Sequence, residues 1–370
     1  MDGVWITELE VPEGARRLAV KDLFDTAGVR TTYGSAVFAD YVPSVTADTV
    51  TVLEAAGWVS AGKTNLHEFA YGVTSQNEHY GTVPNPLRPG RSTGGSSGGS
   101  AAAIVLGEAD AALGTDTGGS IRIPAACCGI TGFKPTFGLV STAGIFPLAP
   151  SFDHAGPMTR TVGGCVELME LLAPGLEVSQ LESLEEVTVG VTWADWCSPL
   201  VRRQVRAAAA VFPRRREIEL PVFEAVGPAF MREVAAVHEE LFAESSELYG
   251  SNISGKIEHC LEIGDAEYAA AERARSELGE RVDEALEGCD LVLAPTLAFV
   301  APPADVDEPE VRRIFTIFTF PFNATGRPAL ALPCGAAEDG LPASVQLVGP
   351  RGGDGLVLGA GLALEAALKA

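Results

Sequence analysis

The chain has 370 residues, with 49 Asp and Glu against 26 Lys and Arg, giving a formal net charge of −23. A surface of that sign repels phosphate backbones and anionic lipid, which argues against direct nucleic-acid and membrane-surface roles. The length suffices for a large core, and no linker, charge block or repeat divides it, so one domain over residues 1–370 is expected.

In chain order, residues 17–22 read as a short strand ending in a charged pair. Residues 48–56 carry Val50, Leu53 and Ala56 behind an acidic start and are followed by Gly57, the pattern of an amphipathic helix with a glycine stop. A strand is predicted over 58–63, a small, apolar helix over 100–107 and another strand over 109–113. Stretches rich in Ala, Glu and Arg at 202–212, 228–248 and 265–287 have helical character with acidic outer faces. Residues 291–294 and 344–348 read as buried strands. Strands alternating with helices point to an α/β fold with a mixed or parallel sheet covered on both faces.

No apolar run approaches the roughly 20 residues of a membrane span. The first residues lack the basic and apolar regions of a secretory leader. The seven cysteines show neither metal-ligand spacing nor a disulfide framework, so a reduced cytoplasm is the expected setting.

Two glycine-flanked serines stand out. One run is Gly94-Gly95-Ser96-Ser97-Gly98-Gly99-Ser100; the other is Asp116-Thr117-Gly118-Gly119-Ser120, followed by Ile121-Arg122. Without neighbouring side chains, a serine and its backbone N–H groups lie open to a ligand. Two such runs, matched to an upstream lysine, suggest a nucleophile, a proton relay and an oxyanion hole.

Two shorter patterns are set aside. Residues 57–64 match the phosphate-loop pattern GxxxxGK[ST], but that loop needs a strand before it and a helix after it. Here a helix precedes and a strand holds Lys63. Residues 94–98 match the GxSxG nucleophile elbow, which needs a strand directly before the serine and a downstream acid and histidine. Residues 84–90 hold three prolines and form a turn-rich loop instead. His154, beside Asp153, is the best-placed downstream histidine, and its ordinary reading is a hydrogen-bonded loop residue.

Read together, Val20-Lys21-Asp22 and the two serine runs resemble the amidase signature family of serine hydrolases. The flanking runs at 62–70, 129–136, 323–329 and 340–346 agree with it. The resemblance is dense over about 15–160 and returns over about 318–350. A divergent region at about 165–315 is where substrate selection is expected. The resemblance implies a single α/β/α domain around a large mixed sheet and a Ser–cis-Ser–Lys triad. Carried over by motif, Lys21 is the base, Ser96 the relay serine at a cis peptide bond, and Ser120 the nucleophile. The amides of Thr117, Gly118, Gly119 and Ser120 would hold the oxyanion.

A lysine acts as base only when burial or a nearby cation makes it neutral at working pH. Around this triad, Asp116 and Arg122 are candidates for an ion pair shaping the loop, and Thr115 and Ser100 for hydrogen bonds to the relay serine. Tyr71, Phe146 and Phe152 are candidate pocket residues. The resemblance implies neither metal nor organic cofactor.

Most members carry several dozen largely helical residues ahead of the lysine, whereas Lys21 stands near the start of this sequence. Residues 18–25 and 77–82 look like those of short, plant-type indole-3-acetamide hydrolases, which makes a small aryl-acetamide the first substrate to consider. The expected activity is hydrolysis of a small carboxamide to acid plus ammonia or amine, by a monomer or homodimer. Carbamate or ester hydrolysis is within reach of the same site. The alternative is the glutaminase-type subunit of a tRNA-dependent amidotransferase, working with a partner protein.

Overall fold

The computed structural model describes residues 1–221 and 224–369. Its strands are β1 (Trp5–Glu8), β2 (Arg16–Lys21), β3 (Trp58–Thr64), β4 (Ala111–Thr115), β5 (Thr131–Lys134), β6 (Ala155–Thr159), β7 (Val189–Val191), β8 (Arg215–Glu217), β9 (Leu291–Pro295), β10 (Ala329–Ala336) and β11 (Pro342–Val348). The helices are α1 (Asp48–Ala55), α2 (Gly98–Leu106), α3 (Arg122–Cys128), α4 (Val162–Leu172), α5 (Pro199–Ala210), α6 (Gly227–Ser245), α7 (Ser251–Leu261), α8 (Asp265–Ala285), α9 (Glu308–Thr316), α10 (Phe320–Ala324) and α11 (Asp354–Lys369).

All eleven strands join one mixed sheet in the order β1-β3-β2-β4-β6-β5-β10-β11-β9-β7-β8. The single α/β domain expected from sequence is therefore present. The strand predicted over 109–113 runs instead from Ala111 to Thr115. Asp110 is held in the preceding turn, its amide donating to Arg17 O at 2.9 Å and its carboxylate accepting from Arg17. The helix predicted from residue 100 starts at Gly98, inside the glycine run itself.

Period-2 alternation assigns the layers. Leu18 and Val20 of β2, Leu113 of β4, and Leu330 and Leu332 of β10 face a large apolar core, shared with Leu53 of α1, Leu168 of α4 and Leu364 of α11. Their neighbours Ala19, Ala112 and Ala331 face the other way, into a second core with Ala101, Ala102 and Ala103 of α2 and Ala125 of α3. Alanine on both sides lets α2 and α3 lie close to the sheet. That proximity matters because the residues leading into both helices carry the serine runs.

Candidate active site

Strands β2 and β4 pair in parallel, so their last residues, Lys21 and Thr115, reach the same edge of the sheet. In parallel sheets this carboxyl edge is where ligands bind. Lys21 is fully buried, and its Nζ donates to Ser96 Oγ at 2.7 Å and to Thr115 Oγ1 at 2.7 Å. Burial pushes its pKa from 10.5 down to about 7, against the opposite pull of the Asp153 and Asp116 carboxylates. Near neutral pH a substantial fraction of Lys21 is thus an uncharged amine.

Ser96 sits in a turn made by Gly94 and Gly95, both with left-handed φ, +71° and +59°. The turn is fastened from outside: Gly95 N donates to Val73 O at 2.7 Å, and Ser75 Oγ donates to Gly95 O at 2.8 Å. The resemblance implies a cis peptide at Ser96, but among the described residues there is no cis peptide bond. The two left-handed glycines make the reversal with trans peptides. Ser96 N donates to Ser120 Oγ at 3.1 Å, which brings the two serine runs together.

Ser120 closes a loop between β4 and α3. At Gly119, φ is +132° and a Cβ would stand 2.3 Å from Thr319 Oγ1, so only glycine fits. Thr319 Oγ1 donates to Gly118 O at 2.6 Å and turns that carbonyl away. Among the described residues, the backbone N–H groups of Thr117, Gly118, Gly119 and Ser120 have no protein acceptor. Four consecutive unpaired amides beside a serine are the donor set that an oxyanion requires.

The loop is braced from beneath. Asp116 and Arg122, both fully buried, form a two-pronged pair, Nε to Oδ2 at 3.0 Å and Nη2 to Oδ1 at 2.9 Å. Arg122 also donates to Gln346 Oε1, Asn323 Oδ1 and Thr319 O, and Asn323 Nδ2 donates back to Asp116 O. Burial pushes the Asp116 carboxyl up, but the Arg122 charge and hydrogen bonds outweigh it and hold the group well below the usual carboxylate range.

Two candidate supports land elsewhere than expected. Thr115 bonds Lys21 rather than the relay serine. Ser100, one turn into α2, exchanges a hydrogen bond with Thr64 and donates to Leu113 O, tying the helix to the sheet. The motifs set aside also resolve. Lys63 lies within β3 and is buried against Asp22 at 3.5 Å, donating to Phe24 O and Thr31 Oγ1. His154 Nδ1 bonds the carbonyls of Phe152 and Asp116, and burial holds its pKa well below 6.5.

The amidase family model matches residues 17–358. The chain belongs to the amidase signature family. It is 35% identical over 407 aligned positions to the A subunit of glutamyl-tRNA(Gln) amidotransferase from Haloarcula marismortui, covering 95% of each chain. The solved structure of a protein described as an amidase aligns with a TM-score of 0.87 and 37% identity, over 95% of this chain and 84% of that one. The corresponding glutamyl-tRNA(Gln) amidotransferase protein of Thermotoga maritima aligns with a TM-score of 0.84 and 29% identity, over 98% and 86%. This amidase is a hydrolase of carbon–nitrogen amide bonds.

In this amidase Ser120, Thr117 and Gly118 open onto a cavity of about 240 Å³. Its walls are mainly apolar: Tyr71, Val73, Ile123, Leu148, Phe230, Met231 and Phe320, with Thr316 and the cation Arg312. Of the three aromatic candidates, only Tyr71 lines it. Phe152 is buried behind the wall, stacked on Phe320 with centroids 5.7 Å apart. Phe146 packs on Tyr33 and Phe69 and faces a separate small cavity. Phe230, Met231 and Arg312, which the sequence did not single out, come from α6 and α9 within the divergent region. Thr316 and Phe320 lie just beyond its expected end. Their apolar spacing on helices is that of ordinary core positions, so the sequence offered no separate signal. Among the described residues, no cluster of His, Cys, Asp or Glu is arranged to hold a metal ion, and no helix is long and apolar enough to cross a membrane.

Proposed function

We propose that this enzyme hydrolyses a small carboxamide through an acyl-serine on Ser120, with Ser96 and Lys21 as the proton relay. The observation that carries the reading is the buried Lys21 amine, 2.7 Å from the Ser96 hydroxyl, beside a serine that faces both a cavity and a row of free amides. With Lys21 neutral, Ser96 can donate along that contact and accept the Ser120 proton in turn. Ser120 Oγ attacks the carbonyl carbon, and the oxyanion is received by the amides of residues 117–120. Losing one such donor costs about 3–4 kcal/mol in comparable sites. The proton returns through Ser96 to the departing amine as the C–N bond breaks. Water then adds to the acyl-enzyme, giving the acid and free Ser120.

The mainly apolar cavity favours an acyl group with an aryl or alkyl body, which supports trying small aryl-acetamides first. A second reading, the glutaminase-type subunit of a tRNA-dependent amidotransferase, is favoured by the names of the most similar curated relatives, and on those comparisons it is the better supported of the two. Labelling with a fluorophosphonate and mapping the modified peptide tests the shared chemistry. Adduct on Ser120, lost in Lys21→Ala, supports it; adduct on Ser96 refutes it. Release of ammonia from glutamine, raised by a co-purifying partner, selects the amidotransferase reading. Turnover of aryl-acetamides by the isolated chain selects the amidase reading.

A further inference from the structure

Asp153 is a half-buried carboxylate that the relay itself does not use. Its Oδ1 accepts from Thr117 Oγ1 at 2.6 Å; its Oδ2 accepts from the amides of Leu148 at 2.9 Å and Ala149 at 3.2 Å. All three donors are neutral. Among the described residues no cation bonds it, in contrast to Asp116, whose charge Arg122 meets with two prongs. A carboxylate drawn even partly out of water without a countercharge is costly, and an opposite charge nearby is what makes it tolerable. Asp153 shares a cavity of about 80 Å³ with Thr115, the hydroxyl that holds Lys21.

We propose that Asp153 is a positioning residue for Lys21: a countercharge that sets the pH at which the lysine becomes a base and stabilises the ammonium it forms. The inference rests on the Lys21 relay proposed above. When Ser120 gives its proton to Ser96 and Ser96 gives its own to Lys21, positive charge appears in a fully buried site. Asp153, from the segment that leads into β6, supplies the matching negative charge beside the 117–120 loop, held there by Thr117 and by the cavity-wall residue Leu148.

The electrostatic surroundings agree. Burial alone drives Lys21 down, and Asp153 is the leading opposing influence, ahead of Asp116. Burial pushes the Asp153 carboxyl up to about 6, against the Thr117 hydroxyl and the two amides, and Glu233 of α6 pushes the same way. The remaining groups facing the pair are settled: Asp116 is paired with Arg122, with Lys134 beside it, and His154 is held neutral by burial. Lys63 is engaged with Asp22. The Asp153 carboxylate is thus the influence that opposes the lysine's loss of charge most strongly.

The test is the rate of fluorophosphonate labelling at Ser120 as a function of pH, which needs no knowledge of the natural substrate. In Asp153→Asn the acid limb of the profile is expected to move to lower pH by about one unit, because removing a carboxylate lowers the pKa of a neighbouring lysine. The plateau falls as well, since the ammonium has lost its countercharge. Asp153→Glu keeps the charge and leaves the limb near its wild-type place. A lower plateau with an unmoved limb in Asp153→Asn marks a merely structural role and overturns the proposal.

If Asp153→Asn does not fold, Thr117→Val answers the same question. It removes the hydroxyl that favours the ionised carboxyl, so the limb shifts the same way by a smaller step, and an unmoved limb again refutes the inference. If the wild-type chain does not label at Ser120, or labels there with no acid limb, the relay reading itself fails and the Asp153 proposal with it.

Discussion

Replacing Arg122 with methionine tests whether the brace beneath the Ser120 loop works as described. The side chain is fully buried and makes five hydrogen bonds: two to Asp116, and one each to Gln346, Asn323 and Thr319 O. Methionine fills much of the volume but supplies no donor. Asp116 would retain the amides of Ile121 and residue 122 and the Asn323 side chain, with no charged hydrogen-bond partner. Breaking a buried ion pair from one side costs about 3–5 kcal/mol, a large share of the roughly 5–15 kcal/mol that holds a domain together.

The pH dependence separates this account from simple loss of packing. In the wild-type chain the Asp116 carboxyl is held well below its ordinary range, so its contribution is complete above about pH 3.9 and is lost as pH falls through the folded value. In Arg122→Met the burial effect is no longer overcome, so the folded pKa rises above the unfolded one. Stability then declines as pH rises from about 4 toward 7, the opposite slope. Urea unfolding followed by far-UV circular dichroism at several pH values measures both. The double variant Asp116→Asn, Arg122→Met should recover part of the loss, with a coupling above about 1.5 kcal/mol. A loss under about 1 kcal/mol, or strict additivity, would refute the reasoning.

Four further variants have expected outcomes. Lys21→Met should lower the labelling rate of Ser120 by about 10²–10⁴-fold, while the wild-type rate climbs as pH rises through about 7 and Lys21 loses its proton. That rising limb should keep its position in His154→Ala, read by the same assay. Gly119→Ala must place a Cβ 2.3 Å from Thr319 Oγ1 at a φ of +132°, so a stability loss of about 1–3 kcal/mol and a collapse of labelling should be seen together in melting and labelling experiments. Phe230→Ala removes an aromatic wall of the cavity, so KM for aryl-acetamides should rise several-fold, with a smaller change for acetamide itself, in steady-state assays.

The triad candidates were legible in the sequence because chemistry confines them to short contiguous runs: glycines at left-handed or crowded positions, then a serine. The brace was half legible. Asp116 and Arg122 stand six residues apart and invite pairing, but Asn323 and Gln346 join them from more than 200 residues away. Thr115, expected at the relay serine, bonds the lysine, since adjacency in sequence to the Ser120 loop does not say which strand end lies opposite. Aromatic residues near the motifs were a poor guide to the cavity, because a phenylalanine at a loop can be buried as readily as it can line a pocket. Several strands carry no clear sequence signal, for a different reason. Residues 131–134 and 155–159 carry Gly, Thr and Pro where alternation should show, and residues 215–217 are exposed Arg and Glu at the outer edge of the sheet.

The place of β10 and β11 in the sheet bears on how the protein comes into being. These late strands lie in the middle, between β5 on one side and β9 on the other. While the chain emerges from the ribosome, residues 1–159 can assemble one block of sheet and residues 189–295 another, each with an open inner edge ready to pair. Only when the last hairpin arrives are the two blocks stitched together. The same event delivers Gln346 to Arg122, completing the brace under Ser120. A truncated or stalled product thus holds every residue of the proposed triad and still lacks the frame that aligns them. The order of synthesis leaves the proposed nucleophile without its full brace until β10 and β11 are made, and it makes closure of the central hairpin a long-range, slow step in folding.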